Sequence, residues 1–283
     1  MTTTTPASDT ITRRGSRHLR SARRGDLGRL RAFNAAVVAS VALLSASIAE
    51  AGVSAIITWQ TAQTITGDSD VQTTGTLQYA YTFGTSSVNA TTVNGVNFAA
   101  FGFDLDYGGS QSVTVGDVTV AESPGYLTPA SGLGDAGAPY TSLSAGYQSL
   151  LGEGASASIA VTITVTLAGL TAGRDYSLQW WSSNSSGTTL GGADLSSTTA
   201  SDPLSNQVTL SSTTGGLGQH VVGTFTAVAS FQSFTLESPS GFTAPLMNAL
   251  QLRDITATGV PGGAGLAGLL ALGGVGRHRR RRR

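Results

Sequence analysis

Two pairs of aspartates, each with one residue between its members, are the first candidates for chemistry in this sequence. The pairs are Asp68 with Asp70 and Asp104 with Asp106. On an extended segment, side chains at positions i and i+2 share one face, so Asp104 and Asp106 would present their carboxylate oxygens in one direction. Calcium prefers such oxygen ligands, and we consider the four aspartates candidate ligands of a structural calcium ion. The simpler interpretation is that they form turns, which aspartate favours by bonding to nearby backbone N–H groups.

The candidates for catalysis are weaker. Two neighbouring carboxylates on one segment are poorly placed to flank a sugar ring, as glycosidase chemistry requires. His220 is the only histidine within residues 52–259, and the chain has no cysteine that could share a metal ion with it. No nucleophile elbow that opens a helix accompanies His220. We therefore interpret His220 as a polar residue on a strand face and expect that the protein is not an enzyme.

Trp180 and Trp181 are the candidates for contact with a carbohydrate. A strand points adjacent side chains to opposite faces of its sheet. Tyr176 and Leu178 share the parity of Trp180, which predicts that Trp180 lies in the core. Trp181 is then predicted to point outward, where its ring can stack on a sugar, and it is our candidate glycan-binding residue. The alternative is that the loop at residues 183–205 covers Trp181.

Charge and cysteine content exclude several classes of partner and site. The chain has no cysteine, so it has no disulfide and no thiolate metal site. Eight arginines lie within residues 13–31 and six within residues 277–283, and there is no lysine. Residues 52–259 carry thirteen Asp and Glu against two arginines. A region with this charge repels phosphates, so we expect no nucleic acid partner for it.

The elements that must position these side chains are predicted to be short strands. Residues 77–83 and 159–167 alternate apolar and polar side chains, which is typical of half-buried strands. Asn94-Gly95 and Gly116-Asp117 each stand between two valines and predict tight hairpins. Further strands are predicted at residues 176–180, 206–211, 219–228, 230–237 and 246–256.

The remaining segments complete the predicted fold. Residues 140–151 are the only internal helix candidate, and residues 122–138 and 183–205 are predicted loops. Leu170, Gly173 and Tyr176 form a turn that recurs in β-sandwich modules, where the tyrosine packs at a sheet corner. We predict an all-β fold for residues 52–259: a single antiparallel two-sheet β-sandwich, jelly-roll-like, with one short helix.

Residues 1–51 have the layout of a signal peptide. A basic region at residues 13–31 precedes an apolar run at residues 35–47. Ala49 and Ala51 then supply the small side chains that signal peptidase requires. We predict cleavage before Gly52 and export of the protein.

The C-terminal residues form a short apolar segment with a positive end. Val260 and Pro261 precede the apolar run at residues 262–276. Fifteen residues are fewer than the roughly 20 that span a bilayer, so we predict a transient hold in the inner membrane and then removal. The arginines would keep the end of the chain on the cytoplasmic side. A plain membrane anchor and a basic nucleic-acid-binding tail are the alternatives. The terminal cluster includes Arg279, Arg280, Arg281, Arg282 and Arg283.

This tail resembles the PEP-CTERM sorting signal of exported bacterial proteins. The resemblance rests on Val260, Pro261, the apolar run and the terminal arginines, while Gly262 and Gly263 stand where that family usually has Glu-Pro. It implies that signal peptidase and an exosortase-type membrane protease process the chain. It also implies a final location at the cell surface, in the outer membrane or in the extracellular matrix of a bacterium.

Residues 67–70, 92–98, 170–180 and 248–252 resemble the uncharacterised β-sandwich regions that accompany such tails. No activity attaches to those regions. Two functions therefore remain open. The first is a non-catalytic structural or adhesive component of the cell surface, and the second is a carbohydrate-binding module with extracellular polysaccharide as its partner.

Overall fold

A computed structural model describes residues 54–257, apart from 108–109, 123–124, 135–136, 158–160, 203, 205 and 240. Ala49 and Ala51 of the leader lie outside the described residues, and so do Val260, Pro261 and the terminal arginines. No helix in the described part is long and apolar enough to cross a membrane.

The described residues form short strands, one α-helix and two 3₁₀ helices. The strands are β1 (Thr58–Trp59), β2 (Gln63–Thr64), β3 (Thr76–Thr85), β4 (Thr91–Val93), β5 (Val96–Phe103), β6 (Gln111–Val115), β7 (Val118–Glu122), β8 (Leu127–Ser131), β9 (Glu153–Ala157), β10 (Ile163–Leu167), β11 (Asp175–Ser182), β12 (Thr189–Leu190), β13 (Ala193–Asp194), β14 (Ser197–Ser201), β15 (Val208–Ser211), β16 (Gln219–Thr226), β17 (Gln232–Glu237), β18 (Leu246–Met247) and β19 (Ala249–Asp254). The helices are α1 (Ala145–Leu151) and the 3₁₀ helices at Asp68–Asp70 and Tyr140–Ser142.

Two sheets form a sandwich. The main sheet has the strand order β1-β16-β11-β19-β3-β5-β4, with β2 also paired to β16. The second sheet has the order β15-β14-β17-β10-β7-β6. Their facing sides share one core, which includes Trp180 and Leu250 from the main sheet and Val165 and Phe234 from the second sheet. The prediction of an all-β sandwich with one short helix is confirmed.

The opposite side of the main sheet, which we call the outer face, carries a second and smaller core. Ala80, Phe98 and Trp181 of the main sheet pack there with residues of α1. Ser144 caps α1, because its hydroxyl accepts a hydrogen bond from the backbone N–H of Tyr147 at 3.2 Å. The amphipathic helix thus buries its apolar side on the sheet.

The predicted turns occur where the sequence placed them. Asn94 and Gly95 have φ values of 49° and 75° and connect β4 to β5, as a tight hairpin requires. Gly116 has φ of 57° and connects β6 to β7. The hydroxyl of Tyr176 accepts a hydrogen bond from the backbone N–H of Thr171 at 3.0 Å, so the predicted corner tyrosine is confirmed.

One pairing in the main sheet is parallel: β3 pairs with β5, which returns from its hairpin and lies between β3 and β4. Two predicted loops were wrong. The predicted loop at residues 122–138 contains β8, and the one at residues 183–205 contains β12, β13 and β14. Small polar and glycine residues suggested loops in both segments, but strand pairing decided their conformation.

Candidate functional site

A cleft at one end of the sandwich is the candidate binding site. Its volume is about 390 Å³, which lies in the lower part of the range for ligand sites, roughly 300–1,000 Å³. We call it the tyrosine cleft. It is lined by Leu105, Tyr107, Tyr126, Thr128, Ala157, Leu190 and Gly191.

Two tyrosines give this cleft its chemistry. The ring centroids of Tyr107 and Tyr126 are 5.3 Å apart, and the rings meet edge to face at 62°. Tyr107 is 75% exposed, so its ring is available to a ligand. A tyrosine combines an apolar ring with a hydroxyl that can donate and accept hydrogen bonds.

Strand pairing brings the walls of the cleft together. β5 ends at Phe103, and the loop that follows carries Leu105 and Tyr107. The carbonyl of Asp104 in this loop accepts a hydrogen bond from the side-chain amide of Gln111, the first residue of β6, at 3.2 Å.

The other walls come from a separate three-stranded sheet with the order β18-β9-β8, and from a two-stranded hairpin. Leu127 of β8 pairs with Ala157 of β9, which brings Tyr126 and Ala157 close together in the wall of the cleft. The hairpin of β12 and β13 supplies Leu190 and Gly191.

The aspartate pairs occupy two different settings. Asp104 and Asp106 lie in the loop between Phe103 and Tyr107, beside the tyrosine cleft. Asp70 instead closes a turn, because its carboxylate accepts hydrogen bonds from the backbone N–H groups of Thr66 at 2.6 Å and Gly67 at 3.0 Å. These hydrogen bonds to nearby backbone N–H groups are the ones expected of a turn-forming aspartate.

No set of metal ligands assembles around these carboxylates. The carboxylate of Asp68 accepts a hydrogen bond from the hydroxyl of Ser144 at 2.7 Å. Among the described residues, no group of three or more His, Asp or Glu side chains could hold a metal ion. Structural calcium remains a prediction for Asp68, Asp70, Asp104 and Asp106.

The prediction that Trp181 presents an exposed ring was wrong. Trp181 lies on the outer face, opposite to Trp180, as the parity argument requires, but its side chain is fully buried. Its indole N–H donates to the hydroxyl of Tyr147 in α1 at 2.9 Å, and its ring meets Phe98 edge to face. A sugar therefore has no access to Trp181.

The outer face beside Trp181 is polar but equally closed. Residues 65–75, which we call the strap, run across it. The side chain of Gln179 accepts from the backbone N–H of Gln72 at 3.0 Å and donates to the carbonyl of Asp70 at 2.7 Å. Arg253 donates to the carbonyls of Thr74 at 2.8 Å and, with a second nitrogen, to two more strap carbonyls. Side chains of the sheet thus satisfy the backbone of the strap.

His220 belongs to this closed network. Its Nδ1 lies 3.1 Å from the amide nitrogen of Gln179. Since the Gln179 amide oxygen accepts from Gln72 and Gln251, its nitrogen is the donor, and Nδ1 of His220 accepts. Burial lowers the pKa of His220, and the charge of Asp70 partly offsets this effect.

The sequence argument missed Tyr107 and Tyr126. Tyr107 follows two aspartates and precedes two glycines, and Tyr126 follows a proline and a glycine. Aromatic side chains in such turn-rich segments cannot be assigned to a buried strand face. Their position in a loop, which lies on the surface, is the signal that could have marked them as exposed.

Comparisons with known proteins add little to this geometry. No family model matches the chain, and no curated protein matches it. A solved structure of carbohydrate-binding modules from the beta-sandwich superfamily, described for their promiscuous specificity, is 10% identical to the chain with a TM-score of 0.15. The match covers 55% of this chain and 71% of that one. At this TM-score the similarity carries no argument about fold or ligand.

Proposed function

We propose that this protein is an exported, non-catalytic bacterial surface protein whose β-sandwich binds a glycan in the tyrosine cleft. The single observation that carries the binding proposal is the exposed ring of Tyr107 beside Tyr126 in a cavity of about 390 Å³. The face of an aromatic ring carries partial negative charge. The C–H groups on one side of a sugar ring pack well on such a face.

The cleft also offers the polar groups that orient a sugar. Thr128 contributes a hydroxyl, and each tyrosine adds another. Leu105, Ala157 and Leu190 supply apolar surface between them. A mostly apolar cavity with a few hydroxyl groups is typical of small-molecule sites.

The non-catalytic part of the proposal rests on the partners of His220. Its Nδ1 contacts the amide of Gln179, where a catalytic histidine would be oriented by a carboxylate or contact a nucleophile. None of the described residues that line the tyrosine cleft is a histidine. A binding role needs no such group.

The export and sorting part of the proposal rests on the leader and tail sequences, and the topology suits it. Asp254 pairs with the first residue of β3, and the described chain ends three residues later at 257. The other end of β3 pairs with Phe103, two residues before the cleft begins. Ten strand residues span about 33 Å. Asp254 and the cleft thus lie towards opposite ends of β3, which suits a module that is attached at one end and binds at the other.

Binding is tested on an array of bacterial and plant polysaccharides. The full chain, in a detergent without a sugar headgroup, is compared with Tyr107→Ala and Phe242→Ala. Phe242 is 84% exposed but does not line the cleft, so it is the matched control. Tyr107→Ala should weaken binding about 10- to 100-fold, as the loss of an anchoring aromatic does. Equal binding by wild type and Tyr107→Ala, or no binding by any of the three, contradicts the proposal.

Export and sorting are tested separately, by the intact mass of the surface protein from its native host. The account expects a chain that begins at Gly52 and lacks Arg279 to Arg283. Recovery of the terminal arginines in surface-exposed protein overturns the sorting proposal and leaves the binding proposal untouched.

A further inference from the structure

The described part of the protein carries charge of almost one sign. Residues 52–259 have thirteen acidic residues, no lysine and two arginines, Arg174 and Arg253. The positions of these two arginines therefore decide whether residues 52–259 can bind a negatively charged ligand.

Both arginines lie far from the tyrosine cleft. Arg253 pairs with Leu77 near the start of β3, and its guanidinium is occupied by strap carbonyls. Arg174 forms an ion pair with Asp254 at the same end of the sheet. From Leu77 to Thr85 the strand rises about 26 Å. That distance is about three times the Debye length of ~8 Å at physiological ionic strength.

The nearest charges to the cleft are negative. Asp106 is the neighbour of Tyr107 in sequence, so their Cα atoms are about 3.8 Å apart. Asp104 is three residues from Tyr107, which limits their Cα separation to about 11 Å. Both aspartates therefore belong to the same short loop as Tyr107, so the charges nearest in sequence to a ligand stacked on Tyr107 are negative.

We infer that the tyrosine cleft takes an uncharged glycan and discriminates against uronic-acid and sulfated polysaccharides. This inference rests on the proposed glycan binding and adds the class of the ligand. An acidic chain brings a negative group on most sugars, and the described residues around the cleft offer it no cation. Repulsion between like charges across an interface lowers the affinity for a partner of the same charge. The affinity for a neutral glycan is not lowered by these carboxylates.

The inference is tested by affinity electrophoresis of the full chain, in a detergent without a sugar headgroup. The gels contain β-glucan, xylan, mannan or galactan as neutral probes, and polygalacturonate, alginate or carrageenan as acidic probes. Each gel is run with EDTA and with calcium, at low and at physiological salt. We expect at least one neutral polymer to retard the protein about tenfold more effectively than any acidic polymer, with little dependence on salt.

Two variants locate the effect. Tyr107→Ala should abolish the retardation by the neutral polymer. The double variant Asp104→Asn/Asp106→Asn should raise the affinity for acidic polymers relative to that for neutral ones, most at low salt, where charges are least screened.

The outcomes separate the inference from the proposal beneath it. Acidic polymers that bind in EDTA as tightly as neutral ones, through a contact that Tyr107→Ala removes, overturn the inference but leave the glycan site in place. Acidic binding that requires calcium also overturns it, and would assign Asp104 and Asp106 to a bridging ion. Retardation by none of the seven polymers overturns both the inference and the glycan-binding proposal.

Discussion

The outer face of the main sheet and the tyrosine cleft both carry aromatic rings, yet only the ring of Tyr107 in the cleft is exposed. On the outer face, Trp181 is enclosed by Phe98 and Tyr147, and its N–H has a partner within the protein. In the cleft, Tyr107 has a single aromatic neighbour and an exposed ring. The comparison shows that a ring on the outward-facing side of a sheet, such as that of Trp181, need not be exposed. What covers that face decides whether the ring is exposed.

The largest effect should come from Trp181. Trp181→Ala removes a fully buried side chain and leaves the hydroxyl of Tyr147 without its donor. We expect a loss of about 3–5 kcal/mol in the free energy of unfolding, measured by urea denaturation. Trp180→Ala should cost a similar amount, because Trp180 is equally buried in the sandwich core. An unfolding free energy for Trp181→Ala equal to that of wild type would show that the outer face is open.

The next effect concerns Arg253 and the strap. Arg253→Leu removes the donors for the carbonyls of Thr73, Thr74 and Gly75. Hydrogen bonds to charged groups contribute about 1.5–3 kcal/mol each, but water can reach part of a loosened strap, so we expect a net loss of about 2–3 kcal/mol. Amide hydrogen exchange should accelerate in residues 65–75 and remain slow in β10 and β17. Uniform acceleration across both sheets would mean that the strap is not a separate unit.

A smaller effect should appear with pH. Because burial lowers the pKa of His220 below its usual 6.5, the unfolded chain binds a proton that the folded protein resists. The stability is therefore fully present above about pH 6.5 and falls as the pH drops towards the folded-state pKa, by at most about 1.4 kcal/mol per pH unit. His220→Gln should remove this part of the pH dependence of Tm. An unchanged profile in His220→Gln would show that the loss arises from other groups.

The smallest effect on stability should come from the cleft. Tyr107→Ala removes a side chain that is 75% exposed, so the free energy of unfolding should change by no more than about 0.5 kcal/mol. Phe242→Ala should behave alike, since it is also exposed. A large destabilisation by Tyr107→Ala alone would mean that its ring supports the fold, and loss of binding in that variant would then say nothing about a ligand.

The sequence predicted the main elements of the sandwich because their side-chain period is strong. β3, β10, β11 and the two tight hairpins follow from alternation and from turn residues. β8 and β14 were missed because Ser, Thr and Gly carry no clear period there. Each also has a pairing partner distant in sequence, which is β9 for β8 and β17 for β14.

The site was less predictable than the fold. The prediction that Trp180 and Trp181 lie on opposite faces of the sheet was correct, because it depends only on strand geometry. The exposure of Trp181 depended on what packs above it. The predicted helix at residues 140–151 had an apolar side that needed a surface to cover, and that surface is the one that carries Trp181. Two amphipathic elements with unpaired apolar sides could have been matched from the sequence.

The central claim, that a glycan reaches the tyrosine cleft and not the outer face, is tested most directly by an NMR titration. The ligand is the polysaccharide fragment that binds best on the array, and the signals are the ring resonances of Tyr107 and Tyr126 and the indole N–H of Trp181. The account predicts saturable shifts for both tyrosines and for the backbone at Leu190 and Gly191, with the Trp181 indole unmoved. Shifts of the Trp181 indole with unmoved tyrosine rings would contradict it.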